Sequence, residues 1–132
     1  MHLSAHISSS AEQLHAAVQT NDAAKTLLLP AKPNGQGAAI NGGELLLLAL
    51  ATCFCNDLYR EAAKRGLALT AVRVECTGEF GAAGEAGRHF QYRAHVEAGA
   101  PAADIEALLR HTDQVAEVHN TLRQGLAVTL TW

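Results

Sequence analysis

A chain of 132 residues, 48% hydrophobic and 17% charged, can bury a core of its own, which excludes a disordered segment and makes disulfide or metal staples unnecessary. A net charge of -3 without any basic run excludes a face built to grip a nucleic-acid backbone. The longest apolar run, residues 45–51, is far short of the roughly 20 residues needed to span a bilayer. The opening Met1-His2-Leu3-Ser4-Ala5-His6 lacks the basic start and apolar stretch of a secretory signal, so a cytoplasmic address is expected. With that address, the three cysteines Cys53, Cys55 and Cys76 point to free thiols, buried or reactive, and not to a disulfide framework.

Residues 2–8 alternate, with Leu3, Ala5 and Ile7 on one side and His2, Ser4 and His6 on the other, and predict a first strand. Residues 13–20 and 25–29 predict two more, separated by the turn clusters Ser8-Ser9-Ser10 and Thr20-Asn21-Asp22. The Pro- and Gly-rich residues 30–43 read as a loop. Asn41 then caps a long helix running to Arg65, with Gly66 as a left-handed stop. Residues 45–54 are apolar all round, which predicts burial on every side, whereas residues 56–65 turn polar and are expected to surface.

Residues 69–80 and 89–98 predict a hairpin turning at residues 81–87. Val72, Val74 and Cys76 share one face of the first strand; Phe90, Tyr92, Ala94, Val96 and Ala98 share one face of the second. Pro101 opens an amphipathic helix with the stripe Ile105, Leu108, Leu109, Thr112 and Val115. Residues 119–124 form a short further helix ended by Gly125, and residues 126–132 alternate as a last strand. Strands first, one apolar helix, a hairpin, a one-faced helix and a closing strand make a single α+β domain, 1–132, with antiparallel sheets. A domain of this size has too few layers to cover a helix that is apolar all round, so a second copy of the chain, an obligate homodimer, is expected to cover it.

Cys53 is the most suggestive candidate for chemistry. Cys55 lies two residues on, about 200° around the helix, so the two thiols cannot pair while the helix is intact. Cys76 reads as a core residue. Asp57, one turn past Cys53, is expected to raise that thiol's pKa and oppose thiolate formation. Asp57 with Arg60, and Glu61 with Arg65, fit surface pairs on the helix. Glu44, in the first turn, suits a capping role. The seven histidines show no tight ligand cluster and fit solvated strand faces, so no metal is expected. His119 differs, lying in a turn before a helical piece. No phosphate-loop or dinucleotide spacing occurs, so no cofactor is expected either.

The segment Asn41-Gly42-Gly43-Glu44-Leu45-Leu46-Leu47-Leu48-Ala49-Leu50-Ala51-Thr52-Cys53-Phe54 resembles the central helix of the OsmC and organic-hydroperoxide-resistance superfamily, and Val118-His119-Asn120-Thr121-Leu122-Arg123-Gln124-Gly125 resembles a second segment of that family. The resemblance implies an intertwined homodimer with its thiol sites at the subunit interface. It also implies thiol-dependent reduction of hydroperoxides with Cys53 attacking, Glu44 beside the family's helix-start glutamate, and a thiol reductant as partner. Three family positions differ. The resolving cysteine is Ala116, the glutamate position is Gly43, and no arginine precedes Arg60. Cys55 is then the candidate second thiol, across the dimer axis, and Arg93 or a lysine the candidate cation near Cys53. The alternative is a non-catalytic dimer that binds a small apolar or thiol-reactive ligand.

Overall fold

Tight turns set the first three strands. Asn21, at φ 48, takes the left-handed conformation that asparagine tolerates, and pairing resumes at once with Thr20 opposite Ala23. At the other turn the Ser10 hydroxyl accepts the Gln13 amide at 3.3 Å. The result is an antiparallel sheet of β1 (Leu3–Ser9), β2 (Leu14–Thr20) and β3 (Ala23–Leu27), in that order. The third strand lies two residues earlier than its pattern predicted. Its pairing ends where Leu27 meets Ala16, and the chain continues to Pro30, which lacks an amide N–H for a ladder.

The computed structural model describes all residues, Met1–Trp132, as two units, Met1–Leu45 and Leu46–Trp132. In the first unit the loop after β3 is tied down by the Gly37 amide donating to the Ser9 hydroxyl at 3.0 Å. Asn41 caps the next helix as its sequence predicted. Its side chain accepts the Glu44 amide at 2.9 Å, and the Glu44 carboxylate accepts the Asn41 amide at 2.8 Å, a reciprocal capping box.

That helix, α1 (Gly42–Lys64), ends at Gly66 with φ 67, again as predicted. In the second unit β4 (Leu69–Glu79) and β5 (Arg88–Ala98) form an antiparallel pair, followed by α2 (Ala102–Val115) and α3 (Glu117–Gln124). The register sets Val72 opposite Val96, Val74 opposite Ala94 and Cys76 opposite Tyr92, so the two predicted apolar faces coincide. Phe54, Leu58, Ala62, Leu108 and Ala116 are the buried centre, and this sheet face packs on it. A Cβ on Gly78 would lie 2.7 Å from the Phe90 ring, so glycine there lets that ring close over the strand.

The polar half of α1 surfaces on one side as expected, with Asn56, Tyr59, Arg60, Lys64 and Arg65 exposed; on its other side Leu58 and Ala62 are buried, and with them, unexpectedly, Asp57 and Glu61. Their charges are met at short range: Arg60 contacts Asp57 at 2.6 Å and Glu61 at 2.9 Å, and Lys64, not Arg65, contacts Glu61 at 2.8 Å. Within one protomer, Leu50 and Phe54 of the apolar half are buried and Leu48 is 60% exposed. Residues 126–132 form no strand and are exposed, since alternation makes a strand only where another strand takes up its backbone groups.

Glu61 gives this half of α1 a pH dependence. The bond from Lys64, then those from Arg60 and His111, hold its carboxyl at about 2, against an ordinary 4.5. A depressed carboxylate stabilises the fold fully above the unfolded value and loses that contribution as pH falls through the folded one. The denaturation midpoint is therefore expected to fall between pH 4.5 and about 2, and Glu61→Gln is expected to flatten that limb in urea titrations at successive pH values.

Candidate functional site

Cys53 is partly buried on α1, and its thiol donates to Asp57 Oδ2 at 3.6 Å, one helical turn on. The other oxygen of that buried carboxylate takes Arg60 Nη1 at 2.6 Å. The start of α3 reaches the same sulfur. Ala116, the residue capping α3, is fully buried in the core and anchors the first turn. From there the Val118 backbone N–H serves the sulfur, and Glu117 adds a second carboxylate. The Cys53 sulfur and one oxygen each from Asp57 and Glu117 lie within 4.8 Å of one another.

These groups act on the thiol in opposite directions. Burial pushes its pKa above the ordinary value, and the negative charges of Asp57 and Glu117 push the same way. The Val118 N–H, at the positive end of the α3 dipole, favours the thiolate. The balance is upward, so the resting group is a thiol bonded to Asp57. These three side chains are also the set that could hold a metal ion.

The other sequence candidates fall elsewhere. Cys55 is partly buried two residues along α1, and all three cysteines are free. Cys76 lies on the inward face of β4, where burial raises its pKa. Glu44 is engaged in the capping box. Arg93 is exposed and pairs with Glu75 at 3.4 Å, so the guanidinium that reaches the thiol network, through Asp57, is that of Arg60. Asp57 was legible from its spacing to Cys53. Glu117 and the Val118 amide were not, because they arrive from more than sixty residues along the chain and only the packing of α3 brings them in.

His119 is buried, 4% exposed, between the rings of Phe54 and Tyr92, whose centroids lie 5.6 and 4.5 Å away. Neither ring nitrogen has a hydrogen-bond partner. Burial, then the Arg123 charge, pushes its pKa below the ordinary value, so it is neutral. Beside it the Tyr92 hydroxyl donates to Asp113, and Arg123 Nη2 grips the same carboxylate at 2.6 Å. Burial and the Asp113 bond push Tyr92 up to about 12. A cavity of about 220 Å³ opens here, lined by Leu50, Phe90, Tyr92, His119, Leu122 and Arg123 among others.

A thiol on a long helix, met by the first turn of a short one over an antiparallel pair of strands, is the arrangement of an α+β thiol protein. The family model described as OsmC-like protein matches residues 35–131, and the chain belongs to that family. Solved structures share the fold. An OsmC-like protein from Mycoplasma pneumoniae aligns with a TM-score of 0.69 at 15% identity, over 93% of this chain and 88% of that one. An organic hydroperoxide resistance protein OsmC from Legionella pneumophila aligns at 0.60 and 22% identity, over 93% and 90%. An OsmC-like protein of unknown function from Vibrio cholerae aligns at 0.62 and 12%, over 92% and 93%. No curated protein sequence matches the chain. No helix is long and apolar enough to cross a membrane.

Proposed function

We propose that the protein is a thiol-dependent reductant of organic hydroperoxides, acting in the cytoplasm as a homodimer, with Cys53 as the attacking thiol. The observation that carries this reading is the Cys53 thiol set between a proton acceptor, Asp57 Oδ2 at 3.6 Å, and the Val118 N–H. The sulfur attacks the terminal oxygen of the hydroperoxide and the O–O bond breaks. The thiol proton passes through Asp57 to the departing alkoxide, leaving a sulfenic acid on Cys53 and an alcohol. The α3 amide stabilises the negative charge that develops on the sulfur during this transfer.

Ala116 stands where the family has a second cysteine, and Cys55 faces the other side of α1, so regeneration falls to an external thiol. One thiol condenses with the sulfenic acid to a mixed disulfide and water. A second thiol displaces Cys53 and leaves as the oxidised disulfide. The test is consumption of an organic hydroperoxide by purified protein with a thiol reductant, with the Cys53 sulfenic acid trapped by a carbon nucleophile and light scattering giving twice the protomer mass. Absence of both turnover and adduct overturns the reading.

The non-catalytic alternative draws support from the upward-shifted thiol and the missing second cysteine. Asp57→Asn separates the two. Removing that negative charge while leaving Arg60 in place is expected to move the pH profile of Cys53 alkylation to lower pH. Hydroperoxide turnover is expected to fall on the order of tenfold to a hundredfold as the proton relay is lost. A purely electrostatic role for Asp57 would raise both rates together.

A further inference from the structure

We propose that Glu117 is a specificity-determining residue of the Cys53 site: its carboxylate selects co-reactants by charge, admitting neutral and cationic thiols to the sulfur and slowing anionic ones. The inference rests on the reading of Cys53 as the attacking thiol, and it names the class of reductant that restores that thiol.

The selection follows from which charge is left over beside the sulfur. Asp57 is buried, and Arg60 holds its Oδ1 at 2.6 Å. Arg60 also reaches Glu61 at 2.9 Å, and Lys64 reaches Glu61 at 2.8 Å. Glu117 differs: it is exposed at the first position of α3, and its carboxylate forms no ion pair. One of its oxygens lies within 4.8 Å of the Cys53 sulfur. A second sulfur bonded to Cys53 sits about 2 Å from the first, and so within about 7 Å of that oxygen. That is inside the roughly 8 Å over which salt screens exposed charges. A negative charge carried by the reagent is therefore repelled as the S–S bond forms, and a positive one is attracted. Regeneration is the step that feels this field. The thiol's sulfur bonds to the sulfenic sulfur of Cys53, and the sulfenic hydroxyl leaves as water with the thiol's proton. A neutral hydroperoxide carries no charge for Glu117 to sort.

The test uses the whole chain with Cys55→Ser and Cys76→Ser, so that Cys53 is its one thiol. It is treated with 2-(trimethylammonium)ethyl, 2-hydroxyethyl and 2-sulfonatoethyl methanethiosulfonate. The Cys53 thiolate displaces methanesulfinate from each, so the same kind of S–S bond forms with no peroxide present. Intact mass gives the rate of each reaction, which is divided by that reagent's rate with 2-mercaptoethanol. The normalised rates are expected to fall from cation to neutral to anion, on the order of tenfold end to end, and to converge in about 1 M salt. Glu117→Gln, at an exposed side chain where folding is not at stake, is expected to shrink that range about threefold or more. Taking the range of rates within each variant cancels any change in the pKa of the thiol. Glu12→Gln changes the net charge equally at another exposed position and is expected to leave the range unaltered. A flat series, a range that Glu117→Gln leaves intact, or one that Glu12→Gln shrinks as much overturns the proposal. A charge order intact in a protein that consumes no hydroperoxide would sink the hydroperoxide reading alone.

Discussion

Replacing Cys53 by serine is expected to abolish thiol-dependent hydroperoxide consumption, a loss on the order of a thousandfold or more. A serine hydroxyl in the same place can still donate to Asp57, so the fold and the Arg60 contact are preserved. The oxygen, however, is a far weaker nucleophile than sulfur and forms no sulfenic acid. Cys55→Ser and Cys76→Ser serve as controls. One lies on the far side of α1 and the other in the face of β4 packed on the core, so both are expected to retain most of the wild-type rate. Steady-state consumption of an organic hydroperoxide across the three variants decides it. Undiminished turnover by the Cys53 variant would remove the thiol from the mechanism.

Leu58→Ala is expected to be the most damaging single truncation, costing about 2–5 kcal/mol. Leu58 is fully buried and shares the core with Phe54, Ala62, Leu108 and Ala116, so the lost methyl groups leave a cavity that neighbours on three elements cannot all move to fill. The site is coupled to the damage. Leu58 follows Asp57 directly, and Ala116 in the same core anchors the turn of α3 that presents Val118 and Glu117 to Cys53. Urea unfolding is expected to show a lower midpoint with an unchanged slope, and hydroperoxide turnover is expected to fall in step as the α3 start loosens. A variant with wild-type midpoint would mean that the core is not centred on this helix.

Much of the local structure could be read from the residues. Alternation in residues 2–8 and 69–80 placed strands because side chains in an extended chain point to opposite faces, whatever the rest of the molecule does. Asn41 and Gly66 marked the ends of α1 because cap geometry is decided within a few residues. The spacing of Asp57 from Cys53 gave half the thiol's surroundings for the same reason. The apolar run 45–54 called for cover, but hydrophobicity does not say which cover is supplied: within one protomer Leu50 and Phe54 are buried and Leu48 is left out. In the polar half, Asp57 and Glu61 go inside because their charges find partners.

The sequence by itself therefore determined the two hairpin strands, both ends of α1, the α+β class and the OsmC-like family, each carried by short-range geometry or by motifs in the chain. Only the tertiary structure decided that Asp57 and Glu61 lie inside, that residues 126–132 lack a strand partner, and that the start of α3 closes on the Cys53 sulfur. The same is true of His119, a polar ring buried without a partner beside a cavity. Each of these depends on contacts between residues far apart in sequence, whose burial and fields no local pattern encodes.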